Sequence, residues 1–220
     1  AKGIVINNAR GVYSIPMAEW ALGRILEYFK RFDSFNQSQQ RQEWNKNRGI
    51  REINGTRAAI IGAGNIGQEV AKRLSAFGST VTGYDVILGE RAFFESVHHI
   101  DALVSEIDGY DIVILTAPYT PETHHLISKE RLLSMKKEAI LVNIARGGLI
   151  DTRALIDAMN ARPDLYAALD VFEEEPLSQD SPLWTLPNVA ISPHNSFVSN
   201  GNNARMFSVI YNNLKSFLGQ

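Results

Sequence analysis

The chain is expected to adopt a doubly wound α/β fold, in which about six parallel strands are covered by helices on both faces. Three features of the sequence support this expectation. Its strand-like runs are short and continuously apolar, such as DIVILT at 111–116 and AILVNI at 139–144, which is typical of strands buried on both sides. Helical patterns alternate with these runs along the chain. A glycine-rich turn near residue 62 joins one such strand to a helix.

A β-α-β unit is predicted between Ala58 and Asp85. An apolar run, Ala58–Ile61, precedes three glycines spaced as G-x-G-x-x-G. The following helix repeats apolar residues at intervals of three and four, at Ile66, Val70, Leu74 and Phe77. Gly78 can end this helix, and a second apolar run, Val81–Tyr84, leads to Asp85. The glycine motif alone is weak, but strand, helix, second strand and acid in this order favour a dinucleotide site over three ordinary turn glycines.

Each part of this unit has a physical role toward a dinucleotide. Gly62 permits the tight turn, Gly64 lets a pyrophosphate approach the backbone, and Gly67 lets helix and strand pack closely. The helix start offers N–H groups and a positive dipole end to the phosphates. Asp85 can accept hydrogen bonds from both adenosine ribose hydroxyls and would repel a 2′-phosphate, and no Arg follows it closely. The unit therefore predicts NAD as the cofactor and favours NAD over NADP.

Composition narrows the functional classes. Apolar residues make up 45% and charged residues 21% of the 220 residues, as in an ordinary soluble protein. A formal net charge of −2 gives no electrostatic reason to expect nucleic acid or a membrane surface as a partner. The absence of cysteine excludes disulfides and thiolate chemistry in this chain. No apolar run approaches the ~18 residues of a membrane span, so a cytoplasmic location is expected, although the chain begins at Ala1 rather than Met.

The segment before the β-α-β unit is predicted to contain a short strand and a long helix. Ile4–Ile6 is a short apolar run. Ser14 can serve as the N-cap of a helix that continues to about Phe35, with Pro16 in its first turn. The broad apolar face of this helix fits either a core helix or a subunit interface. Residues 36–51 are polar and are predicted to form a surface connection anchored by Trp44.

The remaining elements follow from apolar periodicity and turn residues. Residues 86–99 are predicted to be irregular, with Phe93 and Phe94 packed inward. Helices are predicted at 100–107, at 128–135, from a capping Asp151 to about Met159, and at 202–218. Strands are predicted at 111–116, 139–144, 166–169 and 189–192.

Candidate catalytic side chains follow three of these strands. Arg146 follows the strand at 139–144, Asp170 and Glu175 follow that at 166–169, and His194 follows that at 189–192. Taken singly, such residues are more often structural or solvated. In a parallel sheet, however, ligands lie beyond the carboxyl ends of the strands, so the fold brings these groups to one edge. Glycines at 147 and 148 are expected to keep the backbone beside Arg146 open for close approach.

This set of side chains suits the reduction of a 2-oxo acid. A guanidinium can bind the substrate carboxylate bidentately and polarise the neighbouring carbonyl. An imidazole can supply the proton as hydride arrives at carbon. A carboxylate bound to the second ring nitrogen favours the imidazolium and fixes its orientation.

The other histidines form two adjacent pairs, His98–His99 and His124–His125. Neighbouring side chains diverge in a strand or a helix, so these pairs are expected to be poor chelates that lie on the surface or in loops. No metal site is predicted.

Six motifs allow a comparison with known families: YSIPMAEWALG, GAGNIG with Asp85, DIVILTAPYTPETHHLI, LVNIARGGLID, ALDVFEEEP and VAISPH. With these motifs, residues from about 14 to 195 resemble the cofactor domain of the D-isomer-specific 2-hydroxyacid dehydrogenases. The resemblance implies a Rossmann-type NAD-binding domain. It also implies that Arg146 binds the substrate carboxylate, that His194 donates the proton and that Glu175 orients His194. The implied cofactor contacts are Gly62, Gly64, Asn65, Ile66, Gly67, Asp85, Ala117, Pro118, Ala145 and Asp170, the last through the nicotinamide carboxamide.

The resemblance also implies a domain division. Residues 1–13 would connect to the family's smaller substrate domain, which is largely absent, and residues 14–197 would form the NAD-binding domain. Residues 198–220 would form the helix that in the family returns to the missing domain. A homodimer through the long first helix and a small 2-hydroxy or 2-oxo acid ligand are implied as well. The isolated chain is expected to bind NADH but to turn over poorly, because half of the substrate cleft is missing.

Two functions stay open at this point. The first is an NAD-dependent oxidoreductase that interconverts a D-2-hydroxy acid and its 2-oxo acid. The second is a binding module in which NAD(H) controls association with a protein partner, because corepressors of similar fold keep the same Arg, Glu and His. A departure from the family follows His194, where Asn195, Ser196 and Phe197 stand in place of the Gly or Ala residues that many members have near the nicotinamide.

Overall fold

The computed structural model describes residues 6–219. The strands in this range are β1 (Arg57–Ile61), β2 (Thr80–Asp85), β3 (Ser96–His99), β4 (Ile112–Leu115), β5 (Ile140–Asn143), β6 (Tyr166–Leu169) and β7 (Val189–Ile191). The helices are α1 (Ser14–Lys30), α2 (Phe32–Gln40), α3 (Asn65–Ala76), α4 (Leu103–Glu106), α5 (Lys129–Ser134), α6 (Thr152–Ala161) and α7 (Asn202–Phe217). Short 3-10 turns lie at Ile100–Ala102, Ile107–Gly109, Gly147–Leu149 and Pro182–Thr185.

The strands form one sheet in the order β3-β2-β1-β4-β5-β6-β7, and every pair in it is parallel. The chain runs outward from β1 to β3, returns to place β4 on the other side of β1, and continues outward to β7. The predicted doubly wound parallel fold is therefore confirmed. The reversal between β1 and β4 opens a crevice at the carboxyl ends of these strands, which is where ligands bind in such sheets.

The sheet separates two apolar layers. Alternate residues of each central strand face opposite layers, so that in β4 Val113 and Leu115 belong to one layer and Ile112 and Ile114 to the other. One layer is completed by α1 and α3, and the other by α4, α5 and α6. Burial on both faces explains why the central strands are continuous apolar runs in the sequence.

Strand β3 is a difference from the sequence prediction, which placed residues 86–99 in an irregular segment. Its sequence, SVHH, contains little apolar character. The strand lies at the edge of the sheet, pairs only with β2 and is covered only in part. An edge strand of this kind needs no apolar run, so apolar periodicity could not reveal it.

The long first helix ends earlier than predicted. Instead of continuing to Phe35, α1 ends at Lys30, and Arg31 adopts a left-handed conformation with φ of 55° before α2 begins. Residues of α1 such as Ala21, Ile25 and Phe29 are buried against the sheet, whereas no residue of α2 is buried. The helix therefore changes direction where its contact with the core ends. Ser14 is also not the predicted N-cap, since it lies inside the first turn, is buried and makes no capping hydrogen bond.

Several predicted aromatic contacts are wrong. Trp44 does not anchor the segment after α2, because its side chain is 94% exposed. Phe77 follows α3 and is 43% exposed, and Phe93 is 50% exposed rather than packed inward. Phe94 is half-buried and packs over Gly83 of β2. Periodicity locates apolar residues on an element, but it does not show where the element leaves the core.

The last helix has no buried residue. Helix α7 forms as predicted, and its apolar side chains, including Phe207, Ile210 and Phe217, are exposed. The predicted strand Ile4–Ile6 lies, except for Ile6, outside the described residues, and Ile6 has no regular structure. Among residues 6–219, no helix is both long enough and apolar enough to span a bilayer.

Candidate active site

The glycine turn after β1 has the geometry that the sequence predicts. Gly62 has φ of +102°, and a Cβ there would lie 2.5 Å from the amide nitrogen of Ala117. A Cβ at Gly67 would overlap the carbonyl oxygen of Gly62. Both glycines are therefore required by packing. Gly64, in contrast, has no atom within 4 Å of such a Cβ, so its backbone is open to a ligand at the start of α3, beside the exposed Asn65 and the half-buried Ile66.

Asp85 connects the tip of β2 to the glycine turn. Its Oδ2 accepts a hydrogen bond from the Ala63 amide at 2.8 Å, and its Oδ1 accepts one from the Ile87 amide at 3.0 Å. The carboxylate borders a cleft of about 400 Å³, which is also lined by Gly62, Ala117 and Pro118. The β1–α3 turn, the tip of β2 and the loop after β4 thus meet around one cavity at the predicted switch point.

Arg146 lies beyond the carboxyl end of β5, and its side chain is exposed. Its Nη1 donates to the Ala145 carbonyl at 2.6 Å. The turn that carries it is braced by Asn143, whose Nδ2 donates to the Arg146 carbonyl at 3.0 Å and whose Oδ1 accepts from the Ala145 amide at 3.1 Å. Asn143 was not among the predicted site residues. A polar residue inside a buried apolar strand needs hydrogen-bond partners, and this signal could have identified it.

The glycines after Arg146 do not leave open space, contrary to the sequence prediction. A Cβ at Gly147 would overlap the carbonyl carbon of Phe172, and one at Gly148 would lie 2.7 Å from the ring of Tyr119. Both positions are glycine because the neighbouring loops pack directly on the turn. The turn is therefore held between the loops that follow β4 and β6.

Glu175 and His194 are in direct contact. Nδ1 of His194 lies 2.8 Å from Oε2 of Glu175, and Oε1 of Glu175 accepts a hydrogen bond from the Phe172 amide at 3.0 Å. Burial alone would raise the pKa of the Glu175 carboxyl, but the hydrogen bonds from His194 and from the Phe172 amide lower it below its ordinary value. With Nδ1 on Glu175, Nε2 is the ring nitrogen left to face a substrate.

Asp170 holds the turn that carries His194. It is fully buried, and its carboxylate accepts hydrogen bonds from the Ser192 hydroxyl and from the amides of Asn195, at 2.8 Å, and Ser196, at 2.9 Å. Its own carbonyl accepts from the His194 amide at 2.8 Å. The structure therefore gives Asp170 a bracing role, and its contact with a nicotinamide carboxamide stays a prediction.

The residues that follow His194 include an aromatic ring that contacts it and a buried hydroxyl. The ring of Phe197 packs edge-on against His194, with centroids 5.9 Å apart, and against Tyr13 at 5.7 Å. The Ser196 hydroxyl is buried, and among residues 6–219 it is the one buried side-chain polar atom without a hydrogen-bond partner. Buried polar atoms are nearly always paired, so this hydroxyl is suited to a polar group of a ligand.

Sheet register explains why these groups share one edge. Asn143, Leu169 and Ile191 are paired neighbours at the ends of β5, β6 and β7. Arg146, Asp170 and His194 each follow one of these ends within three residues. The structure thus brings Glu175 and His194 into contact and places Arg146 at the same edge of the sheet.

One of the two histidine pairs departs from the prediction. The rings of His124 and His125 do not diverge but stack with centroids 3.7 Å apart, because His125 adopts a left-handed conformation with φ of 50°. His98 contacts Glu106, and His99 contacts Asp101. In the described part of the chain, no group of three or more His, Asp or Glu side chains could hold a metal ion.

The bracing role of Asp170 predicts a loss of stability on substitution. Asp170→Asn keeps the size of the side chain but replaces one acceptor oxygen by a donor, so one of three donors loses its partner. We expect the free energy of unfolding to fall by about 1–3 kcal/mol in urea denaturation at neutral pH. The exposed Asp157→Asn, which removes only a surface contact with Lys129, should change it by less than about 0.5 kcal/mol. Equal effects of the two substitutions would contradict the bracing role.

Comparison with known proteins places this geometry in a family. Residues 22–196 match the family described as "D-isomer specific 2-hydroxyacid dehydrogenase, NAD binding domain". The chain is 40% identical over 196 residues to D-3-phosphoglycerate dehydrogenase from Methanocaldococcus jannaschii. The matched region covers 88% of this chain and 37% of that protein. It is 34% identical over 225 residues to glyoxylate reductase from Thermococcus kodakarensis. Here the matched region covers 98% of this chain and 67% of that protein.

Solved structures agree with these relatives. A D-isomer specific 2-hydroxyacid dehydrogenase family protein from Aeromonas salmonicida has a TM-score of 0.86 and 33% identity, over 98% of this chain and 68% of that one. A D-isomer specific 2-hydroxyacid dehydrogenase from Xanthobacter autotrophicus, solved in complex with NADPH, has a TM-score of 0.80 and 30% identity, over 96% of this chain and 67% of that one. The chain thus spans about a third of the length of the phosphoglycerate dehydrogenase and two thirds of the others. The chain belongs to the D-isomer specific 2-hydroxyacid dehydrogenases and contains their NAD binding domain.

Proposed function

We propose that this chain is the cofactor-binding part of an NAD-dependent oxidoreductase that interconverts a D-2-hydroxy acid and its 2-oxo acid. The observation that carries the proposal is the contact between His194 and Glu175 at the sheet edge that also presents Arg146 and the glycine turn. Such an imidazole–carboxylate pair is suited to proton transfer at a carbonyl oxygen. The alternative, a module in which NAD(H) controls binding to a partner protein, needs no proton transfer at this pair.

In the direction of reduction, His194 donates a proton from Nε2 to the carbonyl oxygen of the 2-oxo acid, which becomes the hydroxyl group. A bound reduced nicotinamide would supply the hydride for the carbonyl carbon. Glu175 holds the ring through Nδ1 and stabilises the imidazolium before the transfer. Arg146 binds the substrate carboxylate through its guanidinium, which fixes the position of the carbonyl relative to His194. In the reverse direction, neutral His194 takes the proton from the hydroxyl.

The residues present fit a dinucleotide. The open backbone at Gly64 and the first residues of α3, Asn65 and Ile66, would receive the pyrophosphate. Ala117, Pro118 and Ala145 would line its path along the sheet edge. The unpartnered Ser196 hydroxyl and the neighbouring Asp170 would lie at the nicotinamide end.

We further propose that NAD is preferred over NADP. The Asp85 carboxylate lies at the tip of β2, where it can accept hydrogen bonds from ribose hydroxyls and would repel a 2′-phosphate. The nearest following arginine in sequence, Arg91, is turned back toward the Ile87 and Glu90 carbonyls at 3.3 Å and 3.2 Å.

The cofactor proposal is tested by Asp85→Asn. The amide keeps an acceptor oxygen but lacks the negative charge. We expect the affinity for NADH, measured by fluorescence titration, to fall about tenfold, and the preference for NADH over NADPH to shrink by at least that factor. Glu90→Gln removes an exposed carboxylate in the same loop and should change neither value. Equal affinities of the unsubstituted protein for NADH and NADPH would contradict the proposal.

The activity is tested in the full-length protein with NADH and a panel of 2-oxo acids. His194→Gln should lower kcat by about 10²- to 10⁴-fold, because the proton donor is lost, while the affinity for NADH is kept. His99→Gln, on the edge strand, serves as the matched control and should be fully active. A protein that binds a partner in response to NAD(H), and that keeps this binding in the His194→Gln variant without reducing any 2-oxo acid, would support the alternative function.

The pH profile of the same reaction adds a second readout. Reduction consumes a proton that His194 supplies, so the rate should fall as the pH rises. On the acid side, the lowered pKa of Glu175 keeps its carboxylate ionised below the range of an ordinary glutamate, so the rate should fall only as pH drops through that lowered pKa. A flat profile from neutral to mildly alkaline pH, with chemistry rate-limiting, would remove His194 from this role.

A further inference from the structure

A second histidine–carboxylate pair lies beside the first. Nε2 of His125 is 2.7 Å from Oε1 of Glu173, and both side chains are about one third exposed. Glu173 precedes Glu175 by two residues in the loop after β6, whereas His125 lies in the loop after β4. Two carboxylates of this loop therefore each contact a histidine that follows a different strand: Glu173 contacts His125 after β4, and Glu175 contacts His194 after β7.

We propose that His125 and Glu173 are positioning residues, whose contact fixes the loop of Glu175 and the turn of Arg146 relative to each other. The consequence for catalysis rests on the function proposed above for Arg146 and Glu175. The positioning itself does not depend on that function, because it follows from the contacts between the loops.

Glu173 joins the loop after β6 to two other segments. In addition to His125, its Oε2 accepts a hydrogen bond from the Thr152 amide at 2.8 Å, at the first residue of α6. Burial alone would raise the pKa of the Glu173 carboxyl, but the hydrogen bonds from Thr152 and His125 lower it. The carboxylate is thus ionised at neutral pH, and its charge is also favourable at the positive end of α6.

His125 is fixed by its backbone to the turn of Arg146. Its amide donates to the Gly148 carbonyl at 2.9 Å, and two residues later the Ile127 amide donates to the Leu149 carbonyl at 2.9 Å. The left-handed conformation of His125, with φ of 50°, turns its side chain away from the extended path. Few residues other than Gly, Asn, Asp and His adopt this conformation readily.

The turn after Arg146 is closely packed against the loops that follow β4 and β6. Gly147 lies directly against the backbone of Phe172, and Gly148 lies directly against the Tyr119 ring. Phe172 also donates its amide to Glu175. A shift of the loop at Glu173 therefore displaces Glu175 through Phe172, and it displaces Arg146 through Gly147. In the hydrogen bonds and ion pairs of residues 6–219, neither His125 nor Glu173 contacts the side chain of Glu175 or of Arg146. Close-packed interiors transmit such displacements.

The pKa of Glu175 tests the inference. His194 and Asp170 affect this pKa directly, whereas His125 does not contact Glu175. In His125→Asn, the new side chain tolerates the left-handed backbone but is too short to reach Glu173. We expect the pKa of Glu175, followed by NMR of 13C-labelled glutamate carboxyls, to rise toward the ordinary glutamate value by about half a pH unit, because Glu175 loses its alignment with His194.

Two matched variants isolate the contact from the change in charge. His125→Gln also removes the imidazole, but its amide can reach Glu173. Gln adopts the left-handed backbone less readily than Asn, so backbone strain acts against recovery, and a Glu175 pKa closer to that of the unsubstituted protein than in His125→Asn identifies the contact as the cause. His99→Asn removes a histidine that contacts Asp101 on the edge strand and should leave the Glu175 pKa unchanged. The same Glu175 pKa in the unsubstituted protein and in His125→Asn would overturn the inference.

Kinetics of the full-length protein separate this inference from the proposed function. If both hold, His125→Asn should raise KM for the 2-oxo acid several-fold and lower kcat, with the dissociation constant of NADH unchanged. His125→Gln should recover part of each change. If Glu175 shifts as expected but the unsubstituted protein reduces no 2-oxo acid, the positioning is supported and the proposed function fails.

Discussion

The parallel pairing of β1, β4, β5, β6 and β7 is the constraint on which the candidate site depends. In a parallel sheet every strand ends at the same edge, so residues far apart in sequence that follow a strand must lie near one another. Asn143, Leu169 and Ile191 are register partners, and the loops that follow them carry Arg146, Glu175 and His194. The strand pairing thus determines which residues lie close together in the site, and the loops determine how precisely their side chains are held.

The loops at this edge are fixed mainly by polar groups rather than by apolar packing. Asn143 braces the Arg146 turn, Asp170 braces the His194 turn, and Glu173 ties the loop of Glu175 to α6 and to the loop after β4. Each of these side chains satisfies backbone amides or carbonyls that a loop beside a buried strand cannot leave unpaired. The same hydrogen bonds that solve this problem also give each catalytic candidate one preferred position.

The sequence was sufficient for the elements whose physics is local or periodic. Central strands, buried on both faces, appear as apolar runs, and the capping Asp151 and the β-α-β unit are visible from residue type and spacing. The edge strand β3 was missed because it is only partly covered, and the end of α1 at Lys30 was missed because the apolar pattern continues past the core.

The site was predicted in a similarly uneven way. The positions of Arg146, Glu175 and His194 at strand ends follow from topology, and the contact of Glu175 with His194 was expected from the family resemblance. Asn143 and Glu173 were not found as bracing residues, and Asp170 was predicted only as a cofactor contact. Glu173 and Asp170 bind backbone amides of segments that are distant in sequence, and no sequence pattern encodes such contacts. The reason for glycine at 147 and 148 was wrong for the same cause, since Phe172 and Tyr119 approach them only in three dimensions.

The central claim is that a 2-oxo acid is reduced at this edge by direct hydride transfer, with His194 supplying the proton. The most direct measurement follows the isotope: the full-length protein is given a 2-oxo acid and NADH that carries deuterium at both C4 positions, and the product is analysed by NMR and chiral chromatography. The account predicts a D-2-hydroxy acid with deuterium at C2. A product without deuterium at C2, or one of L configuration, would contradict it.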